Sequence, residues 1–219
     1  MTKYSITILL LFLLGTSVQG QVYSLKIDES ETAFGSIKQK AFNTRFSLPY
    51  DYVKKEWWRY IKRYAIRTNK RIYYENRIPA KKSQSATDIY FYSYIDKGEN
   101  HSTLYVSLNP NDAGKTNVVL YRTYLKDLML DFKVYFYTKY IQGKINEVGK
   151  KSERTSTKVE KLEKSIAKLN SSKKKKNANP RSIDKKIASN EKEIEKLRLE
   201  LFAYQKNTQT LKGELKKIK

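Results

Sequence analysis

The sequence predicts an α+β fold: a small antiparallel sheet with helices on one face, followed by a long antiparallel helical hairpin, a coiled coil. Three observations predict it. Side chains recur at alternating steps of four and three from Ile183 to the end of the chain, and the set is almost wholly apolar. Every aromatic residue except Phe202 and Tyr204 lies before residue 142. Between residues 40 and 110, short runs alternate apolar with polar and are punctuated by turn-forming residues.

Residues 1–20 read as a secretory signal peptide. Lys3 gives a basic start, Ile6–Leu14 is apolar, and Val18 and Gly20 precede an expected cut before Gln21. The apolar run is shorter than the roughly 20 residues a spanning helix needs. No cysteine follows it, which excludes a lipoprotein anchor, and no second hydrophobic segment is present. With no cysteine at all, stability has to come from apolar burial and helix pairing. The expected division is a signal peptide over 1–20, an α+β head over 21–121, and a helical hairpin over 122–219 with its loop near 171–179.

In the head, Tyr23–Ile27 alternates weakly and is expected as an edge strand. Phe42, Thr44, Phe46 and Leu48 alternate with polar residues and predict a half-buried strand that Pro49 closes. Asp51 opens a helix whose apolar face is Val53, Trp57, Tyr60, Ile61 and Tyr64, ending at Thr68-Asn69. Three strands follow, Arg71–Ile78, Asp88–Asp96 and Ser102–Asn109, the last two as a hairpin through residues 97–100. Over 117–141, Leu125, Leu128, Phe132, Phe136 and Tyr140 keep helical spacing. That helix is expected to run on through the heptad series Ile145, Val148, Ser152, Thr155, Val159, Leu162, Ile166 and Leu169.

Residues 171–177 contain no apolar residue, and Asn179-Pro180 restarts a helix as N-cap and first-turn proline. The second seam contains Ile187, Asn190, Ile194, Leu197, Leu201, Tyr204, Leu211 and Leu215. Two seams joined by a short polar loop predict an antiparallel hairpin, folded about residue 176.

Alternation in the strands sorts the head into two faces. Phe42, Phe46, Ile72, Ile89, Phe91, Ile95, Leu104, Val106 and Leu108 are expected to face the helices. Tyr90, Tyr92, Tyr94 and Tyr105, with Tyr73 and Arg45, fall on the other side. Such a stripe either stacks on sugar rings or bases, or packs against the N-terminal segment, the stalk base or a second copy. Lys173, Lys174, Lys175 and Lys176 at the hairpin tip either dock on an anionic surface or are simply solvated. Asn190 is a seam residue able to fix helix register.

Net charge is +23, and from Gln142 onward 23 basic residues stand against 10 acidic ones, so head and stalk are both basic. Expected partners are therefore an envelope protein or an anionic envelope polymer, a second copy of the chain, or nucleic acid. Solubility alone also accounts for such a charge.

Catalysis finds little support. His101 is the single histidine, so only a weak cation site with Asp96 and Glu99 is conceivable. Asp127 and Asp131 share a helical face as solvent-side charges. No nucleophile motif, phosphate-cradling loop or dinucleotide fingerprint occurs, so no cofactor is expected. An enzyme of unusual type would need a pocket uniting Asp51, Glu75 or His101.

Taken together, Gly20-Gln21, Pro49-Tyr50-Asp51, Asp88–Phe91 and the charged coiled-coil tail resemble a group of exported Bacteroidota proteins with a small TBP-like head. The resemblance implies export and this head order, but assigns no functional residue. Type IX-secreted members of that phylum end in a β-rich sorting domain. A helical end implies retention in the periplasm. The expected function is a non-enzymatic exported adaptor or structural protein acting through its stalk and basic head. The alternative is a binding module for anionic glycan or nucleic acid through the tyrosine face.

Overall fold

The computed structural model describes residues 23–83, 85–113, 117–174 and 179–218. The predicted signal peptide, together with Lys175 and Lys176, lies outside the described residues.

The chain divides into two compact units, one over 24–139 and the other over 140–219 together with Tyr23. In order, the elements are β1 (Asp28–Phe34), β2 (Ile37–Phe46), α1 (Tyr50–Ile61), β3 (Ile66–Asn69), β4 (Tyr74–Ile78), α2 (Ala80–Ser83), β5 (Ile89–Lys97), β6 (Ser102–Leu108), α3 (Pro110–Ala113), α4 (Val118–Lys173) and α5 (Pro180–Lys217). The strands form one antiparallel sheet in the order β1-β2-β6-β5-β4-β3.

The predicted architecture is present, a small antiparallel sheet followed by a long helical hairpin. Four differences in the head have physical causes. The strand expected at Tyr23–Ile27 is instead β1, a polar strand turning into β2 through Gly35, whose positive φ of 65° suits a two-residue hairpin turn. The helix expected to run to residue 69 ends at Ile61, and Ile66–Asn69 becomes the edge strand β3. Ile72, expected to face the helices, sits in the β3–β4 turn and is 71% exposed. Arg71 beside it takes a left-handed φ of 70°, and its backbone N–H donates to the Asn69 carboxamide. Finally, the first unit extends to residue 139 rather than 121, because Leu125, Phe132 and Phe136 of α4 are fully buried in its core.

The other expected core residues occupy one sheet face, where α1 and the first turns of α4 cover them. Phe132 holds this layer together. Its ring lies 5.6 Å from Phe46 on β2, 4.9 Å from Trp57 and 5.3 Å from Tyr60 on α1, and 5.6 Å from Phe136. Such edge and tilted ring contacts add about 0.5–1.5 kcal/mol each beyond area burial. The Trp57 indole N–H reaches Ser93 Oγ at 3.4 Å, and Asn76 Nδ2 donates to the same hydroxyl at 2.9 Å.

Lys133 is only 1% exposed. Its ammonium donates to the Lys26 carbonyl at 3.0 Å and lies 5.7 Å from the centre of the Phe46 ring. Burial pushes its pKa down to about 8, against a smaller opposing pull from Asp28.

In the second unit, every residue of both predicted seams is buried or half-buried, while the positions between them are mostly exposed. Val159, Ile194 and Leu197 form the tightest part, with Leu162, Ile166 and Leu201 packed against them. Asn179 caps α5 as expected, accepting from the Ser182 backbone at 3.2 Å. Asn190 Nδ2 donates to Ser165 Oγ at 3.2 Å, and Arg198 pairs with Glu163 at 3.0 Å. Folding about residue 176 would have placed Asn190 opposite Leu162, so the true pairing is shifted by about one helical turn.

Two outcomes follow from these interiors. Leu197→Ala should lower hairpin stability by about 2 kcal/mol or more, whereas Lys196→Ala, exposed beside it, should stay within about 0.5 kcal/mol, both read by helical melting. For Lys133, the unfolded chain holds its proton to about pH 10.5 and the folded chain releases it near 8. Folding should therefore strengthen as pH rises from about 8 to 10, and Lys133→Met should flatten that segment of a melting-temperature profile. Above pH 10 the trend reverses, because burial pushes the Tyr137 phenol up to about 12.

Candidate functional site

Two surfaces of the first unit carry chemistry of interest. The first is the sheet face away from the helices. Tyr73, Tyr92, Tyr94 and Tyr105 do share it, since β4, β5 and β6 pair Glu75 with Tyr92 and Tyr94 with Tyr105. Phe34, at the end of β1, lies over them and is fully buried. Its ring stands 6.0 Å from Tyr73, 5.7 Å from Tyr92 and 5.3 Å from Tyr94. With Ala41 these residues form a second, smaller core, in which Tyr92 is only 6% exposed. Gly35 permits this closure by its backbone, whose φ of 65° lies in the left-handed region.

What remains accessible is a half-buried ladder. Tyr94 and Tyr105 stack nearly parallel at 4.7 Å, and the Tyr94 hydroxyl shares a hydrogen bond of 2.7 Å with Thr32 Oγ1. Burial raises the Tyr105 phenol above its ordinary pKa, helped by Tyr94 and Asp96. Tyr90 is half-buried further along β5. Arg45 is exposed, and its guanidinium donates to His101 Nδ1 at 2.9 Å. The His101 ring lies over Gly98, where an added Cβ would come within 2.3 Å of it. A cation at His101 would have to displace that guanidinium, and no cluster of three metal-ligating side chains occurs among the described residues.

Sequence periodicity does not find the second surface. α1, the turn after it and the start of β3 bring Trp58, Arg59, Lys62, Ala65, Ile66 and Arg67 around one open groove. Arg67 lies 4.6 Å from the Trp58 ring centre and 4.9 Å from that of Tyr74. Beyond it, Arg63 lies 4.5 Å from Tyr60 and 4.6 Å from Tyr135. The buried Glu56 carboxylate is taken up by Arg59, at 2.8 Å, and by Lys139. Among the described residues no ion pair involves Lys62, Arg63 or Arg67. Cations beside aromatic faces and without carboxylate partners make a surface suited to anionic, ring-bearing groups. The signal for it in the sequence is the run from Trp57 to Tyr73, whose basic residues fall between aromatic ones. Helical spacing in that run reports only its buried face.

The other predicted positions are dispersed. Lys173 is paired with Asp184 at 2.6 Å, and Lys174 is exposed. Asp127 and Asp131 are both exposed. Asp51 stands on α1, on the helix-covered side of the sheet, while Glu75 and His101 are engaged with Lys70 and Arg45 on the other side. No helix among the described residues is long and apolar enough to cross a membrane.

No protein-family model, curated protein or solved structure matches this chain.

The covering of the tyrosines is testable. Phe34→Ala should cost about 3–5 kcal/mol, the range for a fully buried phenylalanine. It should also raise acrylamide quenching of tyrosine emission in the folded protein, which a Phe34→Leu variant should leave nearly unchanged.

Proposed function

We propose that this chain is a non-enzymatic exported adaptor or spacer of the cell envelope, retained in the periplasm. Its helical hairpin gives it a rigid element, and its basic head docks on an envelope protein or anionic polymer. One observation carries the reading: α4 contributes its first turns to an aromatic core and its later turns to a heptad seam without a break in the helix. One helix thus supplies residues to both units, an arrangement that a structural or adaptor role uses. Export rests on the character of residues 1–20. Crosslinking with mass spectrometry on intact cells should recover an envelope component bound to the head. Recovery of the chain alone, or only of its own copies, would end the reading.

A second reading, a binding module for anionic glycan or nucleic acid, is favoured by the Trp58–Arg67 groove more than by the tyrosine face. Tyr92 lies under Phe34, whereas Arg67 and Lys62 are exposed. Affinity for single-stranded DNA should then fall linearly with the logarithm of salt concentration. Lys62→Ala with Arg67→Ala should reduce that slope by about 0.7 for each phosphate no longer neutralised. Affinity indifferent to salt, or unaltered by both substitutions, would exclude the groove.

A further inference from the structure

The inner seam of α5 meets α4, but the helix carries a second stripe on its outer surface. At the centre of that stripe are Leu199 and Phe202, 55% and 67% exposed, the large exposed apolar residues of the hairpin among those described. On one flank they border an open groove that also takes in Ile194 of the inner seam and the Arg198–Glu163 pair, which reaches across to α4. Glu195 stands four residues before Leu199, and Lys206 four after Phe202, both exposed. These steps of four, three and four are those of a coiled-coil seam, set outward.

The chemistry of this stripe is complementary to its own reverse. Laid antiparallel on a second copy about a point between residues 200 and 201, Leu199 faces Phe202 and Glu195 faces Lys206, each pair occurring twice. One step outward Lys192 meets Gln209, which is neutral. One step further Ala188 meets Gly213, both exposed and small enough to let the two backbones approach. Beyond that, Lys185 would meet Lys216, so like charges end the contact. A parallel arrangement would set Glu195 against Glu195 and Lys206 against Lys206.

We propose that a second copy of this chain docks antiparallel on the outer face of α5, over residues 188–213, giving a two-fold symmetric dimer. Such a contact is self-complementary, as a two-fold interface requires. The apolar centre supplies the affinity, and the two Glu195–Lys206 pairs at its rim fix direction. The paired length is about 39 Å at 1.5 Å per residue, a small interface, so the expected dissociation constant is in the micromolar range. This inference rests on the hairpin alone and is independent of what the head binds.

Sedimentation equilibrium on the full chain tests it. The chain should pass from monomer to dimer below about 100 μM. Leu199→Ser with Phe202→Ser should weaken association at least about tenfold at unchanged helicity, the loss of two buried apolar anchors. Glu195→Lys should also weaken it, and adding Lys206→Glu to that variant should restore it. Because the natural chain lacks cysteine, direction can be read separately. A short bismaleimide should couple a mixture of Glu195→Cys and Lys206→Cys chains, and neither chain to itself. A monomer at about 100 μM, a dimer insensitive to the serine substitutions, or coupling of Glu195→Cys to itself would each overturn the proposal. None of these would touch the adaptor reading, which requires only an intact hairpin and a bound envelope partner.

Discussion

Phe132 is the side chain on which the first unit depends. It projects from α4 into the angle between α1 and β2, where four aromatic rings lie within 6 Å of it, centre to centre. β2 is separated from its partner β6 by α1 and three intervening strands, and a helix that follows β6 completes with α1 the layer over them. α4 is that helix, so the core is completed by the same rod that goes on to form half of the hairpin.

Much of this architecture is legible in the sequence because two periods are hard to confuse. Steps of four and three from Ile183 onward admit no strand reading, and every seam residue is at least half-buried. Alternation over Ile89–Ile95 and Leu104–Leu108 likewise sorts apolar from tyrosine positions correctly. What local pattern does not supply is anything decided by a distant element. Phe34 belongs to a strand whose sequence, Asp28–Phe34, is mostly polar, so its role as cover for the tyrosines is invisible until β1 is paired with β2. A Gly-Ser pair between Phe34 and Ile37 is the available hairpin signal. Ile72 misleads for the opposite reason: it continues an apparent alternation into Tyr74, yet a turn with a left-handed Arg71 removes it from the sheet. Lys133 escapes any hydrophobic count, since its burial depends on the Lys26 carbonyl.

Charge in the head is organised by aromatic rings more than by carboxylates. Glu56 is the buried acid in this region, and Arg59 and Lys139 already satisfy it. Arg63 and Arg67 instead lie over Tyr60, Tyr135, Trp58 and Tyr74. A guanidinium held by a ring leaves donors at its edge that a bidentate salt bridge would consume, although Arg63 spends its Nε–H on the Tyr60 carbonyl at 3.3 Å. It is also pre-positioned, so less side-chain entropy remains to be lost in any further contact. The tyrosine face is less open, because the Tyr94 hydroxyl is engaged with Thr32 and the rings pack on Phe34 and one another. That contrast moves the centre of interest from the feature most visible in the sequence to one that α1 and β3 assemble only in three dimensions.

The two helices of the hairpin differ in what they leave uncovered. Where α4 runs through the second unit, no large apolar residue is exposed among those described, while α5 exposes Leu199 and Phe202. Leu199 and Phe202 share one face of α5, with Glu195 and Lys206 four residues away on either side. An isolated exposed leucine needs no explanation. Two large apolar residues on one outer stripe, flanked by opposite charges and tapering to Ala188 and Gly213, make α5 a helix with two seams. One seam is satisfied within the chain; the other has the geometry of a contact still to be made.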